Sequence, residues 1–387
     1  MAAVLMFGIV PFINAQQLKP KLHEALLQGK QGGIVELPNY ITQNFPLIDY
    51  QKVVLPGPQY LISDDPEYIR IAEAIAMQEQ IQPGTVRLYI YNVNGVKEPQ
   101  KMDRKITAVI KNTGDAPMHL RMLKYSSQDP SINYYKIGKE GLADYFASEG
   151  NSEILTVEPG QIIPIDQKLE ENIVTYDQLV HGFYEFVTDQ PGEVSIIQTA
   201  PSTPGPQALA QIEEVLPPKS HSGAGRGIFG VSNYEVKNKE VIDTKNGPTQ
   251  LILADGEMDP WVLGKESSTG QQATLAGNYG IMYEIELKWK STDGKGLALV
   301  IWNSRSADNT WCGGMAATMI VSKGKFPEGI QLLPKEELIT KKAPEVILVQ
   351  IFEPTGDGKV QTLNLTYSPP GASCLPIPLI FIPVDLK

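Results

Sequence analysis

The chain is poor in the residues from which reactive centres are usually built. Its 387 residues include only 2 cysteines and 4 histidines. His23, His119, His181 and His221 are scattered, and none lies within a few residues of another, so local spacing offers no metal-ligand pair. There is no Gly-x-Ser-x-Gly elbow and no histidine close to a cysteine, which removes the usual sequence signatures of activated nucleophiles. Residues 223–227 (Gly-Ala-Gly-Arg-Gly) resemble a phosphate loop in glycine content alone, without the Lys-Ser/Thr ending or a preceding strand. Basic charge is in deficit: 33 Lys and Arg stand against 44 Asp and Glu, a net charge of −11. That balance argues against nucleic acid as a partner, because phosphate binding needs a basic face. No dense Lys/Arg run suggests an anionic membrane surface, and the apolar run at residues 2–13 is too short to span a bilayer.

What the chain does have is turn chemistry and alternation. With 34 Gly and 30 Pro it favours many short strands over long helices. The organising stretch is 105–124. Ile106, Ala108 and Ile110 alternate with Lys105, Thr107 and Lys111, with Val109 breaking the pattern. Met118, Leu120 and Met122 alternate with His119, Arg121 and Lys124, with Leu123 the exception. Asn112-Thr-Gly-Asp115 supplies a reversal between them, so the expectation is a hairpin with Pro117 at an edge or strand start. A second hairpin is expected from residues 182–187 and 193–198, joined through Asp189-Gln-Pro-Gly192. Residues 20–28 and 134–148 read as helices. Residues 66–81 fit either a helix or a strand, with Ser63-Asp-Asp-Pro-Glu67 looking like a helix start.

The cleanest alternation lies further on. Ile281, Tyr283, Ile285, Leu287 and Trp289 face one way, and Glu284, Glu286, Lys288 and Lys290 the other. Residues 296–302, 315–322, 345–352, 360–367 and 375–384 make five more strands. Three prolines in the last suggest an edge. The expected fold is all-β: two antiparallel β-sandwich domains, Ig-like or jelly-roll-like, with one or two short helices. The expected division is a signal-peptide-like segment at 1–15, an extension at 16–60 lying along the first domain, a sandwich at 61–200, a Pro/Gly-rich linker at 201–230 and a second sandwich at 231–387.

Residues 2–13 end at Asn14-Ala15-Gln16, like a signal-peptide core with a small residue at the cleavage point, although no basic residue precedes the run. A late-called start would explain the missing basic residues, and the competing reading is a buried N-terminal strand or helix. The first reading implies secretion or display at the cell surface. In an exported protein Cys312 and Cys374 either pair, closing a loop of roughly sixty residues worth about 4 kcal/mol, or serve as two small buried hydrophobes.

Two clusters are candidate ligand sites. Trp261, Tyr279, Trp302 and Trp311 fall in or near loops of the second half, where exposed aromatic planes would stack on sugar rings; the competing reading has them plug the ends of a core. Asp255, Glu257 and Asp259 offer oxygens to calcium, although Asp-Gly is first of all a turn signal. Glu284 and Glu286 would share a strand face about 7 Å apart, a separation open to paired carboxylates, but their lysine neighbours favour a solvated face. No cofactor is called for.

Ser63-Asp-Asp-Pro-Glu67, Gly84-Thr-Val-Arg-Leu-Tyr-Ile-Tyr-Asn-Val-Asn94, Lys111-Asn-Thr-Gly114 and Val157-Glu-Pro-Gly160 resemble the first domain of a group of uncharacterised exported β-rich proteins of Gram-positive bacteria. Arg226-Gly-Ile-Phe229, Gly277-Asn-Tyr-Gly280 and Ser368-Pro-Pro-Gly371 resemble their second domain. Some relatives carry an attached copper amine oxidase N-terminal-like domain, a module without copper chemistry. The resemblance covers roughly residues 60–385 and implies an envelope location and nothing about catalysis. The expectation is therefore a non-catalytic structural or adhesive protein of the envelope or extracellular space, not an enzyme. Its expected partners are envelope components or polysaccharide, or further copies of itself. The alternatives are a carbohydrate-binding protein and, behind it, a glycan hydrolase.

Overall fold

The computed structural model describes residues 18–219, 225–304, 313–340 and 344–386. The signal-like segment at 1–15 lies outside them, as do Trp311, Cys312 and His221. The chain is all-β with four short α-helices among the described residues, and most strand pairs are antiparallel.

A four-stranded sheet runs Ile162–Pro164, Lys105–Asn112, Gly192–Thr199, Ala74–Ile81. A nine-stranded sheet runs Gln272–Thr274, Leu263–Lys265, Arg226–Phe229, Gln59–Ser63, Gly84–Asn94, Leu179–Thr188, Met118–Ser127, Ile154–Val157, with Tyr68–Ile69 beside Gly84–Asn94. These two share one buried cluster: Ile106, Ala108, Ile110, Val194 and Ile196 meet Leu88, Ile90, Leu120, Tyr184 and Phe186. Fully burying each aliphatic or Phe side chain contributes about 1.5–3 kcal/mol.

A seven-stranded sheet runs Tyr50–Leu55, Asn233–Asn238, Met282–Lys290, Gln361–Tyr367, Ala317–Val321, Gly329–Leu333, with Ile242–Asp243 beside Met282–Lys290. The five-stranded sheet runs Ile34–Glu36, Glu345–Phe352, Gly296–Trp302, Leu379–Val384, Thr249–Leu251. Their shared cluster holds Tyr283, Ile285, Leu287 and Trp289, as the alternation predicts, and continues onto the second face of the nine-stranded sheet through Tyr60, Tyr89, Tyr91 and Phe183.

Four expectations are corrected by the pairing. The two expected hairpins are crossings between sheets: Lys105–Asn112 and Gly192–Thr199 pair with each other, whereas Met118–Ser127 and Leu179–Thr188 pair in the nine-stranded sheet. Val109 breaks its pattern because both faces of its strand are covered, the outer one by Ala208 and Ile212. Leu123 breaks its pattern because of a β-bulge, with Lys124 opposite Glu185 and Met122 opposite Phe186.

Residues 18–55 do not lie along the first half. The strand Ile34–Glu36 joins the five-stranded sheet at its edge, and the helix Pro20–Gln28 packs on that sheet's outer face, where Leu26, Val35, Leu37 and Phe45 meet Val300, Leu348 and Ile380. Nor is 201–230 a free tether. Gly205–Leu209 is a helix on the outer face of the four-stranded sheet, and Arg226–Phe229 pairs with Gln59–Ser63. Gly205 is required there, since a Cβ would sit 2.8 Å from both the Glu170 Oε2 and the Thr107 Cγ2 atoms. Finally, the last strand is internal. Pro376 and Pro378 precede Leu379, and Pro383 lies beyond the reach of Thr249–Leu251, which pairs only as far as Phe381. The ambiguous 66–81 segment resolves as strand over Ala74–Ile81.

Candidate functional site

Five of the quoted motif pieces converge where the two halves meet. The strand Gln59–Ser63 runs parallel to Gly84–Asn94, and the acidic turn 64–67 follows it. Buried Asn92 fixes that turn: its Oδ1 accepts from Ser63 Oγ at 2.8 Å and its Nδ2 donates to the Pro66 carbonyl at 3.2 Å. The backbone adds two bonds, Val93 N to the Glu67 carbonyl and Asp64 N to the Gly225 carbonyl, both at 2.7 Å. Strand alternation sends Leu88 and Ile90 into one core and Tyr89 and Tyr91 into the other.

The tyrosines are held from both halves. Tyr89 and Tyr91 lie with parallel rings 6.2 Å apart, and His181 meets both edge-on. Tyr60 Oη donates to the Tyr279 carbonyl at 2.5 Å, and Gly371 N donates to Tyr89 Oη at 3.2 Å. Gly371 admits no side chain, because a Cβ would run into the Tyr91 ring and lie 2.7 Å from the Tyr89 hydroxyl. At the rim the Tyr68 and Tyr134 hydroxyls are 3.1 Å apart, and Tyr134 Oη donates to the Asp177 carbonyl at 2.9 Å.

The electrostatics of this cluster are out of balance. Desolvation, then the charges of Glu67 and Asp65, push the Asp64 carboxyl well above the usual carboxylate range. Desolvation also raises Glu67, with nearby Lys219 opposing it. Among the described residues no donor reaches either carboxylate, whereas Asp65 Oδ1 accepts from Lys219 N at 3.0 Å. The Tyr91 hydroxyl is buried without a partner, and burial together with Tyr89, Asp64 and Glu67 keeps its proton in place. His181 is the third residue of its strand, 1% exposed, with Nδ1 unpartnered and its pKa lowered by burial to about 4. Unsatisfied buried polar groups cost about 1–3 kcal/mol each, so their concentration here calls for a use. A turn signal at 63–67 was legible in sequence; the missing partners of Asp64, Glu67, Tyr91 and His181 were not.

Among the described residues the expected sugar-stacking aromatics Trp261, Tyr279 and Trp302 do not gather; Trp311 lies outside those residues. Trp261, 37% exposed, donates from Nε1 to the Ala254 carbonyl at 3.1 Å and packs over Gly256. Tyr279 packs on the central cluster, and Trp302 on the separate cluster under the N-terminal segment. Nor do the expected calcium ligands form a cradle. Asp259 is fully buried, pairs with Lys52, and accepts from Ala254 N at 2.7 Å and Tyr283 Oη at 2.6 Å. Asp255 accepts from the backbones of Glu257 and Asp259, which makes the segment a turn. No group of three or more His, Cys, Asp or Glu among the described residues is placed to hold a metal. Cys374 is buried and disulfide-bonded.

Glu284 and Glu286 do share the solvent face of the seven-stranded sheet. With Glu235, Glu328, Asn364 and Thr366 they line an open groove of about 520 Å³, and Thr366 Oγ1 donates to Glu284 at 2.9 Å. One border of that sheet is also open. Among the described residues Tyr50–Leu55, six residues long, pairs only with Asn233–Asn238, and it leaves Val53 40% and Val54 55% exposed.

No family model matches the chain, and no curated protein matches it. Solved structures align loosely. The CUB1-EGF-CUB2 fragment of human MASP-1/3 is 10% identical over 80% of this chain and 100% of that one, with a TM-score of 0.18. The STIV MCP is 9% identical over 80% and 95%, with a TM-score of 0.15. The oxalate decarboxylase of Lactobacillus farciminis is 11% identical over 86% of each chain, with a TM-score of 0.13. At such scores these likenesses carry no argument about this chain.

Proposed function

We propose that the chain is an exported, non-catalytic structural protein of the cell envelope, and that two copies join by pairing their Tyr50–Leu55 strands. One observation carries the reading: among the described residues this edge is long and uncapped, whereas the other sheet borders are short or covered. Ile34–Glu36, Thr249–Leu251, Ile162–Pro164 and Gln272–Thr274 are three residues each, and Ile154–Val157 is four. Gly329–Leu333 is five and lies against the helix Tyr134–Ala147. The eight-residue edge Ala74–Ile81 is capped by side chains. An uncovered run of strand donors and acceptors flanked by exposed valines is a template for strand addition. Export rests on the leader-like segment at 1–15 and is tested by whether the mature chain begins after Ala15.

Sedimentation velocity over a range of concentrations tests the assembly. The expected result is reversible dimerisation that Val54→Lys abolishes without changing the thermal midpoint. A monomer at every concentration would reject it.

The second reading is a carbohydrate-binding protein, favoured by the groove over Glu284, Glu286, Asn364 and Thr366. Binding to a glycan array by the monomer, lost in Asn364→Ala, would put that reading first.

A further inference from the structure

The bulge at Leu123 has a second effect. Lys124 stands opposite Glu185 and Met122 opposite Phe186, so the extra residue turns Tyr125 onto the same face as Leu120 and Met122. Regular alternation from Leu120 would have sent Tyr125 to the other face with Arg121. Tyr125 pairs with Tyr184 across the strands, yet Tyr184 is fully buried and Tyr125 is 43% exposed. The difference is a cavity.

Ile162–Pro164, the border strand of the four-stranded sheet, is three residues long. Beside it a cavity of about 380 Å³ lies between segment 164–167 and the inner face of the nine-stranded sheet. Leu120, Met122 and Leu155 supply an apolar floor. Asp166 and Gln167 from that segment, and Asn151 and Glu153 from loop 148–153, supply polar groups. A second hollow of about 470 Å³ shares Tyr125 and Asp166 with the first and takes in Ser148, Glu149 and Lys168.

These walls are held in place. Asp166 Oδ2 accepts from Tyr184 Oη at 2.8 Å, and its Oδ1 accepts from Lys168 N at 2.9 Å. Loop 148–153 is seated on the bulge itself. Asn151 N donates to the Met122 carbonyl at 3.0 Å, and Tyr125 N donates to Ser148 Oγ at 3.1 Å. Gly150, at φ +79°, comes so close that a Cβ would lie 2.3 Å from the Leu123 carbonyl oxygen.

A sugar ring presents an apolar C–H face and a rim of hydroxyls that both donate and accept. An exposed aromatic plane beside an apolar floor, bordered by amides and carboxylates, matches that inventory. The cavity is also of the size that small-molecule sites take, roughly 300–1,000 Å³. A wholly apolar ligand would bury Asp166 and the amides of Asn151 and Gln167 unpaired, at about 1–3 kcal/mol each. An anionic one would meet Asp166, Glu153 and Glu149, while Lys168 is already paired with Asp129 at 2.8 Å. We propose that the cleft at Tyr125 binds a neutral oligosaccharide, one ring stacked on Tyr125 and its hydroxyls on Asp166, Asn151 and Gln167. This place is distinct from the groove over Glu284 and stands whether or not that groove takes a glycan.

Isothermal titration calorimetry of the full chain with cellotriose, maltotriose, triacetylchitotriose and trigalacturonate tests this. At least one of the three neutral trisaccharides should bind, and trigalacturonate should not. Tyr125→Ala should weaken binding about tenfold or more, and Tyr125→Phe, which keeps the ring, by no more than about twofold. Asn151→Ala should weaken it about threefold or more. Tyr125 and Asn151 are both exposed, so circular dichroism should not change in these variants. Asn364→Ala, in the other groove, should bind as the parent does. Absence of binding by all three neutral sugars, parent affinity in Tyr125→Ala, or preference for trigalacturonate would each overturn the proposal. Loss of binding in Asn364→Ala would overturn it too, by moving the ligand to the groove over Glu284.

Discussion

Two strand edges, Ala74–Ile81 and Tyr50–Leu55, have opposite fates. Both are long enough to template another strand, at eight and six residues. The first is closed from the side by residues distant in sequence. Gln78 N donates to Ser267 Oγ at 2.9 Å, Ser267 Oγ donates back to the Gln78 carbonyl at 2.6 Å, and Arg226 Nη1 donates to the Ala76 carbonyl at 2.9 Å. Leu216 N donates to the Ile75 carbonyl, also at 2.9 Å. The second has no such cover among the described residues and shows its valines to solvent. A chain that caps one edge so thoroughly has the means to blunt an edge, which supports the interface proposed at the uncapped one.

The closing device is the most fragile part of this comparison. Arg226 is fully buried and paired with buried Glu266, with Nε to Oε1 at 2.8 Å. Arg226→Met strands the Glu266 charge and reopens the edge; it should cost about 3–5 kcal/mol in urea-unfolding free energy. An effect below about 1 kcal/mol would show that the cap is not what secures this edge. Burial alone would raise Glu266, but hydrogen bonds from Ser268, Thr269 and Arg226 outweigh it and hold the pKa at about 2. A depressed carboxylate stabilises above its unfolded pKa. This contribution is therefore full above about pH 4.5 and lost as pH falls toward 2, a window that Glu266→Gln should erase from the pH–stability curve.

The next effect concerns the junction between the halves. Gly371→Ala forces a Cβ against Tyr91 and Tyr89 and should cost about 1–3 kcal/mol, read as a lower thermal midpoint. A neutral outcome would mean that loop 369–371 is not packed on the tyrosines. Asp64 carries the opposite sign. Its raised carboxyl stabilises only while protonated, below its unfolded pKa, and that gain is lost as pH rises through its folded value. Asp64→Asn should therefore be more stable than the parent at pH 7 and equal to it near pH 3; equal stability at both would show that Asp64 is solvated. The smallest stability effect belongs to the open edge, where Val54→Lys should fall within about 0.5 kcal/mol of the parent while changing the oligomeric state.

Strand positions were legible because alternation and burial agree. Gly296–Trp302 and Glu345–Phe352 end at the expected residues, and the helices Pro20–Gln28 and Tyr134–Ala147 stand where their spacing places them. Pairing was not legible, because a turn such as Asn112-Thr-Gly-Asp115 serves a hairpin and a crossing between sheets equally well. The irregularities were the better signal: Val109 marked a strand covered on both sides, and Leu123 a bulge. Composition misled at 201–230, where Pro and Gly serve close packing against Glu170 and Thr107 as well as turns. The candidate site escaped because Tyr91 and His181 looked like ordinary strand residues, and a missing hydrogen bond leaves no trace in sequence.

Amide hydrogen exchange followed as a function of protein concentration bears most directly on the open edge. The expected result is protection of the Tyr50–Leu55 amides that grows with concentration in the parent and not in Val54→Lys, while Ala74–Ile81 stays protected throughout. Tyr50–Leu55 amides whose exchange is the same at every concentration would contradict assembly through this edge.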